Sequence, residues 1–182
     1  LALRSVAPAL ALGNAVVLKP DERTAVCSGY VIARIFELAG LPAGLLHVLP
    51  GGAEAGEALT LDENIASIQF TGSTQVGRMV GANAGKTLKK VSLELGGKNS
   101  LIILDDADIE RAAENIVWGA FLHSGQICMT SGKILVQEAI YERLKARVTE
   151  KTRQLVVGNP AQENVTIGPL IDEKQCRRVA DL

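Results

Sequence analysis

The sequence predicts an α/β protein whose strands form an open parallel sheet, and three observations lead to this fold. Short apolar segments alternate with longer segments that have helical patterning. The short segments have no polar face, as expected for parallel strands that are covered on both sides. Hydrophobic residues make up 47% of the 182 residues, which is enough to bury a core. The alternation of strand and helix is typical of an open parallel α/β sheet.

The first half of the chain accounts for the strand–helix alternation. The apolar opening segment is interpreted as the end of a helix that Gly13-Asn14 stops after Leu12. Lys19-Pro20 and the charged residues after it form a turn and a helix cap. Glycine or proline follows several of the later elements. The predicted strands are 15–18, 45–49 and 65–70, and the predicted helices are 25–39, 53–61 and 73–84.

The second half begins after a strand, 88–95, that ends at Gly96-Gly97. These glycines form a natural boundary between two lobes, so we expect the domain parts 1–95 and 96–182. The carboxylates of Asp105–Asp108 cap a helix whose apolar residues recur at a spacing of three and four, which predicts a firmly packed helix. The remaining predicted strands are 100–104 and 134–136. The capped helix has an apolar face that runs from Ile109 to Phe121, and the later predicted helices are 141–154 and a last one that begins at Asp172.

Composition and charge argue against several classes of partner. Charged residues make up 21%, the net charge is -1 and there is no basic stripe, so no nucleic-acid partner is expected. No apolar run approaches the ~20 residues that span a bilayer, so no membrane partner is expected. The segment from Leu1 to Gly13 lacks the basic start of a signal peptide. The three cysteines are far apart, which predicts neither disulfides nor a metal site and favours a reducing, cytoplasmic compartment.

One of the cysteines has a context suited to reactivity. The stretch Ser124-Gly125-Gln126-Ile127-Cys128-Met129 places Cys128 just past a glycine and after the patterned helix, where backbone N–H groups can face a substrate. Cys27 lies in an apolar helical run and is expected to pack, and Cys176 lies in a charged tail and has no assigned role. The alternative for Cys128 is a buried structural cysteine.

A carboxylate, Glu94, lies in an apolar strand that ends in two glycines. The neighbours Val91, Leu93 and Leu95 are expected to desolvate it in part, which strengthens a carboxylate as a base. The alternative is an exposed glutamate on an alternating strand. A nucleophile and a base, each at the end of an element, suggest covalent catalysis.

Further polar residues lie beyond the carboxyl ends of predicted strands, where open parallel sheets bind ligands. Gly72-Ser73 opens a helix that contains Gly77, and a helix start with a hydroxyl suits a phosphate. The alternative is a plain helix cap. Lys19 and Glu22 follow the first strand, and the alternative for them is a solvated charged loop.

The motifs Lys19-Pro20, Phe70–Thr74, Leu93–Lys98 and Gly125–Cys128 resemble, in order and spacing, those of the NAD(P)-dependent aldehyde dehydrogenase superfamily. The resemblance covers essentially the whole chain and implies an internal part of a longer enzyme. It implies a Rossmann-like NAD-binding part in 1–95 and the start of a second α/β catalytic domain in 96–182. The stretch from Gly125 to Thr130 looks most like the branch that acts on aromatic aldehydes such as benzaldehyde or vanillin.

The resemblance implies a role for each candidate residue. Cys128 would be the nucleophile, and Glu94 would activate the water that hydrolyses the thioester. The stretch with Gly72, Ser73 and Gly77 would touch the cofactor pyrophosphate. The other cofactor residues would be Lys19 and Glu22 at the adenosine ribose, and Leu95, whose carbonyl would face the nicotinamide amide. Glu22 favours NAD over NADP, whereas Lys19 weakly favours NADP, which stays the alternative.

Residues around the cysteine are candidates for the substrate tunnel: Trp118, Leu122, Ile127 and Met129. For Trp118 a place in the core is the alternative. His123 is a rival base, His47 is expected to be structural, and Lys98 is expected to support Glu94 or the loop geometry. No cluster has metal-ligand spacing, so no metal is expected.

The resemblance also implies that the oxyanion asparagine precedes Leu1 and that further cofactor-positioning residues follow the chain. We therefore expect the 182-residue chain alone to have little or no activity, and the longer enzyme to be a homodimer or homotetramer. The alternatives are a nucleotide-binding module without catalysis, an aldehyde dehydrogenase that acylates coenzyme A, and an inert relative. Branches that pass the acyl group to coenzyme A often lack the carboxylate, so Glu94 favours release of a free acid.

Overall fold

The chain forms two compact units, Leu1–Leu95 and Gly96–Leu182. The structure is a computed structural model, and it describes residues 1–181. Each unit contains parallel strands with helices between them. The assignment of 1–95 to cofactor binding and of 96–182 to catalysis stays a prediction.

The first unit alternates helix and strand along its whole length. Its helices and strands are α1 Ala2–Ala11, β1 Val16–Leu18, α2 Val31–Leu38, β2 Leu46–Val48, α3 Ala53–Leu61, β3 Ser67–Thr71, α4 Thr74–Lys86 and β4 Lys90–Glu94. The sequence prediction was correct to within one or two residues for most of these bounds, because apolar periodicity and glycine stops define them locally.

The predicted helix 25–39 is divided in the structure. A 3₁₀ turn, Glu22–Thr24, and a π-helical turn, Val26–Tyr30, precede α2. The wide turn contains Gly29, which is buried where a β-carbon would lie 3.0 Å from both Pro20 and Val48. This close approach to Pro20, in the loop after β1, and to Val48 of β2 is a tertiary contact that helical periodicity does not report. Cys27 lies in the same turn and is exposed, so the expectation that it packs was wrong.

The strands pair in parallel, as predicted, but in three separate pairs. β1 pairs with β2 from Val16–Leu46 onward, and β3 pairs with β4 from Ser67–Lys90 to Thr71–Glu94. Within residues 1–181 these pairs are not joined into one sheet, unlike the single sheet that the alternation suggested. Alternation predicts parallel pairing because a helix crosses between strands, but it does not specify which strands are neighbours.

The second unit packs two helices on a parallel strand pair. Its elements are β5 Asn99–Ile103, α5 Ile109–Phe121, β6 Ser131–Val136, α6 Tyr141–Arg153 and α7 Glu173–Ala180. The middle of the apolar stripe predicted on α5, Ala112, Ala113 and Ile116, is buried in one core cluster with Ile103, Ile140 and Leu144. The ends of the stripe, Ile109, Ala120 and Phe121, are half-buried. This core fixes α5, and α5 ends directly before the stretch that carries Cys128.

Both long helices of the second unit are also joined at the surface. The Arg147 guanidinium on α6 donates two hydrogen bonds to the carboxylate of Glu110 on α5, at 2.5 and 2.8 Å. Lys151 donates to Glu114 at 3.0 Å and lies 3.4 Å from Glu110. Hydrogen bonding from Arg147 lowers the pKa of Glu110. Among residues 1–181, no helix is long and apolar enough to cross a membrane.

Candidate active site

Cys128 lies in a turn between the end of α5 and the start of β6, and its side chain is half-buried. The backbone N–H of Thr130 donates to the carbonyl of Ile127 at 3.0 Å, so Cys128 and Met129 occupy the two central positions of a closed turn. The hydroxyl of Thr130 also donates to the carbonyl of Gly125 at 3.2 Å. Thr130, the residue that follows the two central residues, therefore closes the turn that carries the thiol.

The segment before this turn has an unusual backbone. His123, Ser124 and Gly125 have φ of +51°, +58° and +70°, so three consecutive residues are left-handed. Only glycine adopts this conformation freely, and each of the other residues costs about 1–2 kcal/mol. The hydroxyl of Ser124 donates to the carbonyl of Gly168 at 3.1 Å, and the backbone N–H of Gln126 donates to the carbonyl of His123 at 3.1 Å. These bonds hold a conformation that the residue types alone disfavour.

Two glycines bring the elements that flank the turn into close contact. A β-carbon at Gly119 of α5 would lie 2.6 Å from the hydroxyl oxygen of Ser131, the first residue of β6. At Gly132 a β-carbon would lie 2.6 Å from Cδ of Lys98. Helix, strand and the Lys98 side chain thus meet closely at the base of the turn. Lys98 lies against Gly132 at the start of β6, and the expectation that it supports Glu94 or the loop geometry stays a prediction.

Asn99 contacts the turn directly, and the sequence analysis gave it no role. Its side-chain nitrogen donates to the carbonyl of Cys128 at 2.6 Å and to the carbonyl of Thr130 at 3.2 Å. The signal in the sequence was a polar side chain at the start of a strand directly after Gly96-Gly97-Lys98. That signal does not identify the partner, which lies about thirty residues along the chain.

Glu94 is the last residue of β4 and belongs to the first unit, whereas Cys128 belongs to the second. Glu94 is half-buried, as are Leu93 and Leu95 beside it, whereas Val91 is exposed. Its backbone carbonyl accepts a hydrogen bond from the N–H of Gly72 at 3.0 Å. The strand end that carries the carboxylate is therefore tied to the loop that begins α4.

The start of α4 is a capped helix end. The Ser73 hydroxyl oxygen accepts a hydrogen bond from the N–H of Val76 at 3.3 Å, as an N-cap does. A β-carbon at Gly72 would lie 2.5 Å from the Phe70 ring, and one at Gly77 would lie 2.5 Å from Leu95. Gly77 is buried, so this glycine permits close packing of α4 on Leu95.

Lys19 lies directly after β1 and is bonded to the main chain. Its ammonium donates to the carbonyls of Pro20 and Gly51 at 2.9 and 2.7 Å. Glu22 is exposed close by in the chain, and Asp21 caps the turn that contains it. A hydrogen bond from the Arg23 side chain lowers the pKa of Asp21 to about 2, so this carboxylate stays charged. The loop after β1 thus presents carboxylates next to a lysine that holds β1 to the loop after β2.

The predicted tunnel residues differ in exposure. Trp118 and Met129 are each 61% exposed, whereas Leu122 and Ile127 are half-buried. The alternative that placed Trp118 in the core was wrong for residues 1–181: it lies next to Gly119 in the last turns of α5, outside the buried stripe.

The histidines are both exposed, and the described residues form no metal cluster. His47 bonds the carbonyl of Gly44 at 3.1 Å, and His123 is one of the left-handed residues. Within residues 1–181, no group of three or more His, Cys, Asp and Glu side chains could hold a metal ion.

The fold and the candidate site together define the class of protein: a parallel α/β protein with the half-buried thiol of Cys128 on a closed turn. Sequence comparison matches residues 1–182 to the aldehyde dehydrogenase family. The chain belongs to this family, as the four motifs predicted.

Relatives with assigned names support the predicted branch. The chain is 57% identical to a vanillin dehydrogenase of Amycolatopsis sp. over 182 residues, which is 100% of this chain and 37% of the relative. It is 55% identical to a benzaldehyde dehydrogenase [NAD(+)] of Pseudomonas putida over 179 residues, 98% of this chain and 37% of the relative. The similarity to the vanillin and benzaldehyde dehydrogenase branch is thereby confirmed. The chain spans about 37% of the length of these relatives.

Solved structures show the same fold. The chain matches a NAD-dependent benzaldehyde dehydrogenase from Corynebacterium glutamicum with a TM-score of 0.93 and 42% identity, over 99% of this chain and 40% of that one. It matches lactaldehyde dehydrogenase from Escherichia coli with a TM-score of 0.92 and 38% identity, over 98% of this chain and 38% of that one. The predicted α/β fold of an aldehyde dehydrogenase is confirmed.

Proposed function

We propose that the protein that contains this chain oxidises an aldehyde to a carboxylic acid with NAD(P)⁺, through a covalent intermediate on Cys128. The observation that carries the proposal is the closed turn that presents the half-buried thiol and is tied by Thr130, Ser124 and Asn99. Family membership and the names of the relatives support this chemistry. Those names also favour an aromatic aldehyde as the small-molecule substrate.

The chain's own residues would act in sequence. The Cys128 thiolate attacks the aldehyde carbon and forms a thiohemiacetal, whose oxygen a backbone N–H of the turn stabilises. Collapse of the thiohemiacetal on Cys128 to the thioester releases a hydride from its carbon, and bound NAD(P)⁺ would supply the oxidation by taking up that hydride. Glu94 then takes a proton from water, which attacks the resulting thioester, releases the carboxylic acid and frees Cys128.

The residues at the strand ends of the first unit fit a dinucleotide. The start of α4 offers helix N–H groups and the Ser73 hydroxyl to a pyrophosphate, and Gly72 leaves no room for a larger side chain. Glu22 is an exposed carboxylate suited to ribose hydroxyls, and it disfavours a 2′-phosphate, which favours NAD over NADP. Lys19 supports the adenosine end, and Leu95 would meet the nicotinamide amide through its carbonyl.

The cysteine role is tested by replacing two thiols in the full polypeptide that contains residues 1–182. Cys128→Ser is expected to lower benzaldehyde-dependent NADH formation by at least about 10³-fold, since a hydroxyl is a far weaker nucleophile at neutral pH. Cys27→Ser, a change at an exposed cysteine outside the proposed site, is expected to leave the rate unchanged. Full activity of Cys128→Ser would refute the proposal.

The same assay separates the alternatives. Glu94→Gln is expected to form one equivalent of NADH per site in a burst and then to turn over slowly, because the thioester persists. A coenzyme A thioester as the product would identify the acylating reaction instead. Nucleotide binding without NADH formation on any aldehyde would identify a binding module. Faster oxidation of short aliphatic aldehydes than of benzaldehyde or vanillin would remove the aromatic assignment.

Assembly and location complete the proposal. We propose a homodimer or homotetramer on the basis of the family resemblance. We propose a cytoplasmic location because three widely spaced cysteines suit a reducing compartment. Analytical ultracentrifugation of the full polypeptide tests the assembly, and a monomer at micromolar concentration would contradict it. Fractionation of the source cells tests the location.

A further inference from the structure

The Asn99 side chain holds the main chain on both sides of Met129. One amide nitrogen carries two protons, and it donates to the carbonyl of Cys128 at 2.6 Å and to the carbonyl of Thr130 at 3.2 Å. Each accepting carbonyl belongs to a planar peptide group. Fixing the Cys128 carbonyl therefore also fixes the N–H of Met129 and the orientation of the Cys128 backbone.

The pairing of the strands explains why Asn99 reaches this turn. Asn99 is the first residue of β5 and lies opposite Ser131, the first residue of β6. The register shifts directly after this pair, so that Ser100 lies opposite Lys133 and Gly132 is the extra residue. A side chain at the first position of β5 is thus placed beside the residues that immediately precede β6, which are those of the cysteine turn.

The other bonds of the turn do not replace this contact. Thr130 closes the turn through its N–H and its hydroxyl, but these bonds end on the carbonyls of Ile127 and Gly125. Among the hydrogen bonds described for residues 1–181, the carbonyl of Cys128 accepts only from Asn99. His123 and Ser124, upstream of the turn, are in the strained left-handed conformation. Without the hydrogen bonds from Asn99, the turn can shift to relieve this strain.

We propose that Asn99 is a positioning residue, which fixes the direction of the Cys128 thiol by clamping the carbonyls of Cys128 and Thr130. The inference rests on the proposed role of Cys128 as the nucleophile. Asn99 takes no part in bond making, and it acts through the geometry of the turn. Its removal affects the rate of attack at a bound substrate more than it affects substrate binding.

The test uses the full polypeptide that contains residues 1–182, with Asn99→Ala and the nearly isosteric Asn99→Asp. Both remove the amide donor, and the aspartate also places a carboxylate against two carbonyls. We expect kcat for benzaldehyde to fall by about three- to tenfold in Asn99→Ala, and further in Asn99→Asp, with KM changed by less than about twofold. Asn64→Ala is the matched control, because the side-chain amide of Asn64 donates to Asp62 at 3.1 Å in an exposed loop and, within residues 1–181, to no other group.

A second measurement reports the thiol without turnover. The rate of iodoacetamide alkylation at Cys128 is measured against pH, with the exposed Cys27 and Cys176 of the same molecule as internal references. We expect the ratio of the Cys128 rate to the reference rates to change by about threefold or more in both Asn99 variants and to stay constant in Asn64→Ala. General loosening of the fold does not produce a change confined to Cys128.

The outcomes separate this inference from the proposed function. Loss of activity in Cys128→Ser together with unchanged kcat and alkylation in a folded Asn99→Ala or Asn99→Asp would overturn the positioning role alone. Retained activity in Cys128→Ser would overturn the proposed function and the inference with it. A fall in kcat of the Asn99 variants, with KM and the alkylation rates of Cys27 and Cys176 unchanged, supports both the proposed function and the positioning role.

Discussion

Adding one β-carbon at Gly125 is expected to disturb the cysteine turn. Gly125 has φ +70°, so Gly125→Ala forces an L-residue into the left-handed region at about 1–2 kcal/mol. The new β-carbon would also lie 3.2 Å from the carbonyl oxygen of Ala120, which is main chain in the last turn of α5 and has little freedom to move. The strain and the close contact are relieved most easily if the cysteine turn itself shifts.

The expected changes in Tm and kcat follow from the backbone strain and from the displacement of the thiol. A loss of about 1–2 kcal/mol lowers Tm by roughly 2–8 °C in a domain of this size class. A displacement of the thiol by about 1 Å costs up to about 10²-fold in rate. We therefore expect Gly125→Ala in the full polypeptide to lower kcat by about ten- to hundredfold and Tm by a few degrees, measured by NADH formation and by thermal unfolding followed with circular dichroism.

Two controls isolate the cause. Gly13→Ala places a β-carbon at φ +81° with nothing within 4 Å, so it carries the backbone strain but no contact, far along the chain from the turn. His123→Ala changes a neighbouring left-handed residue that already has a β-carbon. We expect Gly13→Ala to lower Tm without lowering kcat, and His123→Ala to change both less than Gly125→Ala. Wild-type Tm and kcat in Gly125→Ala would refute the reasoning.

Other predictions concern the helix pair behind the turn. Leu144→Ala, at a side chain 1% exposed in the core, should lower the free energy of unfolding by about 2–5 kcal/mol in urea titrations, whereas Leu104→Ala, 57% exposed, should change it far less. Because Arg147 lowers the pKa of Glu110 below its ordinary value of 4.5, the folded state gains stability above that pH and loses it as the pH falls below it. Stability measured down to about pH 3 should therefore fall more steeply in the wild type than in Glu110→Gln, and parallel curves would contradict this.

Local sequence patterns are enough to predict the elements whose limits are marked within one segment of the chain. The helix predicted at 53–61 is Ala53–Leu61, and the helix Ile109–Phe121 carries the apolar face predicted for it, because apolar spacing and caps within a single segment define such elements. The parallel α/β class follows from the alternation of strands and helices, and the family follows from short motifs. Both kinds of pattern can be recognised without knowing which distant residues lie nearby in the fold. Cys128 and Glu94 could be selected as candidates for the same reason.

Contacts between distant segments could not be predicted from these local patterns. The clamp from Asn99 to the Cys128 turn spans about thirty residues and depends on the register of β5 against β6. The left-handed conformation at His123 and Ser124 is disfavoured locally, so it exists only because bonds such as that from Ser124 to Gly168 hold it. The division of the predicted helix 25–39 and the separate strand pairs arise in the same way. Periodicity records the surroundings of each residue along the chain, and these features depend on which distant residues the fold brings together.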